Sequence, residues 1–283
     1  MRTQQDLPKQ FSFEFFPPRT PEGEEKLRVT RRELANLEPA FMSCTFGAGG
    51  ATQEGTLRTI LEIHEEGHVA APHISCIGSR RESIAGLLDR YREVGIRRLV
   101  CLRGDMPSGM AVAGEFRHAA DLVAFVRQRT GDWFHIEVAA YPEFHPESRR
   151  PADDLAHFKA KVEAGADSAI TQYFFNADAY VHFVESAQAL GMDLPIVPGI
   201  MPINNFSQLA RFSDTCGAEI PRWIRLRLES FGDDTASIKA FGLDVVTGLC
   251  ERLLGLGAPG LHFYTLNQAG PATTIWRRLG LPP

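Results

Sequence analysis

One glutamate stands among four phenylalanines in the run Phe11-Ser12-Phe13-Glu14-Phe15-Phe16, which Pro17 and Pro18 close. Proline cannot donate to a ladder, so the run predicts a short strand that ends there. A charge in such company is costly unless it is paired, neutralised or used. Glu14 is therefore a candidate catalytic acid whose carboxyl is raised by burial. It shares strand parity with Ser12, so both point to one side and Phe11, Phe13 and Phe15 to the other. A second reading stays open: an ion pair with an interior arginine such as Arg103 would lower the carboxyl instead.

Two further groups of residues carry chemistry. Arg103-Gly104-Asp105 offers an anion contact, a backbone that a ligand can approach closely, and a carboxylate. The bland alternative is a surface turn. His145, Asp154, His157 and Lys161 form the other group, and the last three share one helical face by their i, i+3, i+7 spacing. A lysine and histidines beside a strand end can meet a phosphate. An ordinary solvated face is the alternative there. No HExxH, HxH, CxxC, GxxxxGK[ST] or GxSxG motif occurs, so no metal is expected.

Composition narrows the class. The 283 residues carry a net charge of −5, which gives no basic footprint for nucleic acid or an anionic membrane. No apolar run approaches the ~20 residues that span a bilayer. The start, MRTQQDLPKQ, lacks the apolar stretch of a secretion signal. Five scattered cysteines (Cys44, Cys76, Cys101, Cys216, Cys250) fit reduced thiols and a cytoplasmic location.

The elements that must position these residues can be read from periodicity. Strand-like runs occupy 11–16, 41–46, 70–77, 97–103, 135–141, 168–175, 195–200 and 260–265. Helical patterns separate most of them, as with Leu27, Leu34 and Leu37, or Ile84, Leu87, Leu88 and Tyr91. Gly95 and Gly165 stand where helices should end before strands. A mean spacing of roughly 30 residues suits a β/α repeat. Eight such units predict an α/β fold, an eight-stranded (β/α) TIM barrel formed by a single domain. A doubly wound open sheet is the runner-up, but no GxGxxG follows the first strand. The stretch 203–258 is too long for one crossover and should hold two or more helices. In a barrel, Glu14, Thr45, His73, Arg103, Asp105, Tyr141, Gln172 and Thr265 all fall near the C-terminal strand ends, where active sites sit.

The blocks FSFEFFPPRT, SCTFGAGG, APHISCIG, LRGDMP, VAAYPEFHPE, KVEAGADSAITQYFFN, VPGIMPINNF and LHFYTLN cover nearly the whole chain. With them the chain resembles methylenetetrahydrofolate reductases of the bacterial type. The resemblance implies a barrel holding non-covalent FAD. It also implies ping-pong hydride transfer from NADH or NADPH through the flavin to methylenetetrahydrofolate, which serves methionine synthesis. Glu14 matches the family's general acid, and Asp105 the aspartate near flavin and folate. Thr45, Phe46, Ala48, His73, Arg103, Gly104, Asp105, Ala119, Tyr141, His145, Asp154, His157 and Lys161 match the FAD shell. Asp105, Gln172, Gln208, Phe212 and Gln268 match the substrate contacts. The chain departs from its relatives at His157, Ala160 and Gln268, where they carry Asn, Arg and Arg. A homo-oligomer without a C-terminal regulatory domain is implied, so inhibition by adenosylmethionine is not expected. A flavin-free folate barrel, acting in methyl transfer or as a partner subunit, is the alternative function.

Overall fold

The computed structural model describes residues 2–46, 50–104 and 114–282. The strands are β1 Gln10–Phe15, β2 Phe41–Cys44, β3 Ala70–Ser75, β4 Arg98–Leu102, β5 His135–Ala140, β6 Ser168–Thr171, β7 Ile196–Val197, β8 Gly199–Ile200 and β9 Gly260–Tyr264. The helices are α1 Arg2–Gln5, α2 Pro21–Ala35, α3 Gly50–Glu65, α4 Arg81–Glu93, α5 Ala119–Thr130, α6 Pro151–Glu163, α7 Ala177–Ala189, α8 Phe206–Cys216, α9 Arg222–Ser230, α10 Thr235–Gly255 and α11 Ala269–Arg278. The sheet order is β7-β6-β5-β4-β3-β2-β1-β9-β8, and every pairing is parallel.

The two ends of that order are neighbours in the chain, separated by Pro198 alone. The expected strand over 195–200 is therefore one strand cut in two. Its first half pairs with β6 and its second with β9. Proline has no amide to continue the ladder, but its carbonyl still accepts from His262 N at 3.0 Å. The cut closes the ring, and the eight expected strands form an α/β barrel. Side chains bridge the seam: Gly199 N donates to Thr171 Oγ1 at 2.9 Å, and the Tyr264 hydroxyl to Thr171 O at 2.7 Å. A Cβ on Gly199 would lie 2.2 Å from Thr171 O, so only glycine lets these strands approach.

Strand parity divides the phenylalanines from the polar groups as expected. Phe13 and Phe15 are fully buried against the helical layer, with Phe13 5.7 Å from Phe263 and 5.9 Å from Trp276 of α11. Each such ring contributes about 1.5–3 kcal/mol by leaving water. A separate small cluster of Phe41, Ala71, Val100 and Ile170 fills the barrel interior. Gly95 and Gly165 end α4 and α6 with positive φ. The sixth run stops at Thr171 instead of 175, and 203–258 holds α8, α9 and α10. No described helix is long and apolar enough to cross a membrane.

Candidate active site

Glu14 lies on β1 in register with Ser43 of β2 and Tyr264 of β9, and all three belong to the inward-facing set. Its Oε2 is 3.3 Å from Nε2 of His262 and 3.3 Å from Nε2 of His73. The His73 contact lacks hydrogen-bond alignment. Ser12 Oγ completes a chain at 2.7 Å from His262 Nδ1. His262 is fully buried and Ser12 is 1 % exposed. With Glu14 ionised, only one tautomer satisfies both contacts: Ser12 donates to Nδ1, and Nε2–H donates to Glu14.

This geometry corrects the expected charge behaviour of Glu14. Burial does push its carboxyl up. The field of His73, the hydrogen bond from His262 and the field of His262 together outweigh it, and the carboxyl sits below its ordinary value. The phenylalanines do not surround the carboxyl, because parity turns them to the opposite face of the sheet. Nor does Arg103 hold it: Arg103 Nη1 lies 2.7 Å from Glu147, in the loop after β5. His73 is itself pushed down by burial, against the pull of Glu14.

A cavity of about 1050 Å³ opens at the C-terminal ends of β4, β5 and β6, the end of the barrel near which Glu14 lies on β1. Arg103, Gly104, Ala119, Tyr141, His145, Asp154, His157, Lys161 and Gln172 all line it. The helical face of α6 is therefore a wall of the cavity, with Asp154 buried, Lys161 half-buried and His157 exposed. Lys161 Nζ donates to Ala139 O at 2.6 Å. Burial lowers its pKa to about 8, against the pull of Asp154. Burial likewise raises Asp154, opposed by Lys161 and His145. Gly104 has φ +85°, and a Cβ there would fall 1.8 Å from Ser75 Oγ. Backbone alone fits at that point of the wall.

His73 does not line the cavity but lies inside the barrel on Glu14. Thr45 and Phe46 follow β2 next to β1, with Thr45 N donating to Phe15 O at 2.9 Å. Gln208 and Phe212 share a face of α8 with Cys216, which reaches the cavity wall. Gln268 is exposed at the start of α11 and meets neither the cavity nor Glu14. Ala48 and Asp105 lie outside the described residues.

Sequence reasoning missed His262, although it alternates with Tyr264 as Ser12 does with Glu14. It also missed His118, which precedes α5, stacks on His157 at 5.1 Å and lines the cavity. Asp121 marked that helix start, since its Oδ2 accepts from His118 N at 2.9 Å. No cluster of metal-ligating side chains occurs among the described residues.

Comparison with known proteins identifies the family. The sequence model of the family described as methylenetetrahydrofolate reductase matches residues 2–280. The 5,10-methylenetetrahydrofolate reductase of Salmonella typhimurium is 40% identical over 273 residues, covering 96% of this chain and 91% of its own. That of Escherichia coli K12 is 38% identical with the same coverage. A rice protein named as a probable NADH-type enzyme is 39% identical over 48% of its length. Among solved structures, a Clostridium thermocellum protein described as binding two copies of 5-methyl-5,6,7,8-tetrahydrofolic acid aligns with TM-score 0.61. Its identity is 15%, and the match covers 99% of this chain and 96% of that one, which supports the barrel fold alone. Barrel, family match and bacterial relatives agree: the chain belongs to the methylenetetrahydrofolate reductase family and is an enzyme of that type.

Proposed function

We propose that the protein reduces methylenetetrahydrofolate to methyltetrahydrofolate with a reduced nicotinamide, through FAD bound in the cavity. The observation that carries the reading is that Glu14, hydrogen-bonded by His262, lies near the C-terminal end of β1, on the same face of the all-parallel barrel at which that cavity opens. The cavity fits a dinucleotide cofactor. It has the volume, a glycine wall that admits no Cβ, and cationic or polar groups at Arg103, Lys161, His118 and His157. Arg103 and Lys161 are the residues to hold phosphates, and Tyr141 and His145, with rings 4.7 Å apart, an aromatic wall. When bound, FAD supplies hydride-carrier chemistry between nicotinamide and folate.

Residues of this chain do the remaining work. The one-carbon bridge of the folate accepts hydride only after one carbon–nitrogen bond opens to an iminium, and the departing nitrogen needs a proton. Glu14 gives that proton. In the open site its carboxyl is held low. A ligand laid over it removes water, strengthens the upward push of burial and lets it take up a proton. His262, fixed by Ser12, keeps the carboxyl aimed. Asp105 matches the family position whose negative charge would favour the cationic iminium. Gln172 and the Gln208–Phe212 face of α8 would meet the folate and the nicotinamide.

The flavin spectrum tests this. Purified protein should be yellow, bleach anaerobically with NADH or NADPH, and regain its colour with methylenetetrahydrofolate. A colourless protein that takes up no FAD would overturn the proposal. The relative sizes of the two nicotinamide rates identify the donor.

A further inference from the structure

The turn after β9 carries two consecutive non-glycine residues in the left-handed region, Leu266 at φ 52° and Asn267 at φ 56°. Asparagine tolerates that region, but leucine is rarely found there. Something must hold the turn, and the Asn267 side chain supplies it. Its Oδ1 accepts from Phe16 N at 2.9 Å, and its Nδ2 donates to Phe16 O at 2.9 Å. Both polar ends of the amide are used, so its orientation is fixed by the bonds it makes. Two residues earlier, Thr265 grips Glu14: its Oγ1 donates to Glu14 O at 2.6 Å and its N to the same oxygen at 3.2 Å. Asn267 N donates to Thr265 Oγ1 at 3.1 Å, and Thr30 Oγ1 of α2 donates to Asn267 O at 3.3 Å.

Residues 14–16 are thus pinned to residues 265–267 by four hydrogen bonds, at the C-terminal end of β1. The partner that aims the Glu14 carboxyl, His262, sits on the same β9 that leads into the turn. Any slip of the β1 end relative to this turn would part the carboxyl from the imidazole.

We propose that Asn267 is the positioning residue of the proton donor: its two bonds to Phe16 lock the end of β1 to the turn after β9 and so hold Glu14 in register with His262. This rests on the reading of Glu14 as the acid of the folate step. The residue touches neither cavity nor carboxyl, so it acts only through Glu14. A backbone strained in this way is kept where geometry is needed. Loss of register by a fraction of an ångström is costly for a group that must meet a substrate atom.

The test uses the holoenzyme and follows its two half-reactions separately in a stopped-flow instrument. Asn267→Gly removes the clamp but suits a positive φ. It should leave flavin reduction by NADH within about twofold and slow reoxidation by methylenetetrahydrofolate at least about tenfold. In a Glu14→Gln background the same change should cost less than about twofold more, because a residue acting through Glu14 has nothing left to position. Asn267→Asp keeps the acceptor for Phe16 N and should fall between. If Asn267→Gly does not fold, Asn267→Asp carries the same comparison. Equal slowing of both half-reactions, full additivity with Glu14→Gln, or no slowing at all would overturn the clamp. If Glu14→Gln alone leaves the folate half-reaction intact, the reading of Glu14 falls and the clamp with it. A loss in Glu14→Gln without one in Asn267→Gly overturns the clamp only.

Discussion

Glu14 and His262 meet across adjacent strands of the barrel, Oε2 3.3 Å from Nε2, in a chain that ends at Ser12 two residues before the glutamate. The same imidazole thus contacts two polar residues of one face of β1, Ser12 and Glu14. A carboxyl so placed is oriented by the protein before any ligand arrives.

That arrangement predicts a split between half-reactions for Glu14→Gln. The amide fits the same space but cannot give a proton. Flavin reduction by NADH should persist near the wild-type rate. Reoxidation by methylenetetrahydrofolate should fall by about 10²–10⁴-fold, the usual range for a lost general acid. The wild-type folate step needs the protonated carboxyl, so its rate should decline as pH rises through the Glu14 value in the complex. Rapid-mixing traces across pH 5–9 check both points, and equal loss of both half-reactions would refute the role.

Ser12→Ala removes the donor to His262 Nδ1 and frees the ring to change tautomer. With Nε2 no longer obliged to donate, the Glu14 carboxylate loses its hydrogen bond in a fraction of molecules. On the low-pH plateau, where Glu14 is fully protonated, the folate half-reaction should slow about three- to tenfold, equivalent to the ~1 kcal/mol of one net hydrogen bond, with the nicotinamide step unchanged. Its pH profile should shift upward, because a bond that lowers Glu14 is weakened. An unshifted profile would mean that Ser12 only fills space.

The barrel was legible because most strands announce themselves twice, by an apolar run and by a glycine or proline soon after it, although β6 and β9 carry only the first signal. Pro198 was visible too, but whether a proline ends a strand or splits it depends on which neighbours lie on either side, and periodicity does not carry that. The cavity residues of α6 were legible from helical spacing. His262 is not legible in the sequence, since a buried histidine in LHFYTLN reads as core until its partner on β1 is known. The charge state of Glu14 is hidden for the same reason: Phe13 and Phe15 are its neighbours in sequence, whereas His73 and His262 are its neighbours in space. Asn267 carries no signal of its own beyond being a residue that tolerates a positive φ.

At the opposite end of the barrel, Glu137 should matter for stability and not for turnover. Arg98 Nη1 bonds its Oε1, Ser168 Oγ donates to Oε2 at 2.5 Å, and His135 Nε2 lies 3.3 Å away. Burial pushes Glu137 up, but the bond from His135 and the field of Arg98 outweigh it, and the carboxyl sits below its ordinary value. Its contribution is therefore full above the ordinary glutamate range and fades as pH falls through the lowered native value. Glu137→Ala strands the Arg98 cation and should cost about 3–5 kcal/mol. Urea unfolding at pH 7 and pH 4 checks this: the deficit should shrink at the lower pH, with turnover of the folded variant at 25 °C within about twofold of wild type.

Lys161 links cofactor binding to pH. Burial lowers its pKa to about 8 in the cofactor-free protein, against the pull of Asp154. Between pH 8 and its ordinary value of 10.5 the unfolded chain holds a proton that the native chain has lost, so this group makes the cofactor-free fold more stable as pH rises across that window. A phosphate at Nζ reverses the preference by favouring the ammonium. FAD affinity should therefore weaken as pH rises through about 8, by at most about tenfold per pH unit for one linked proton. Titration of the apoprotein by flavin fluorescence between pH 7 and 9.5 measures it directly. Lys161→Arg should remove the dependence, because a guanidinium keeps its proton throughout. Lys161→Met should bind more weakly at every pH and show no slope from this group. A wild-type dissociation constant that stays flat over the range would place the phosphates away from Lys161.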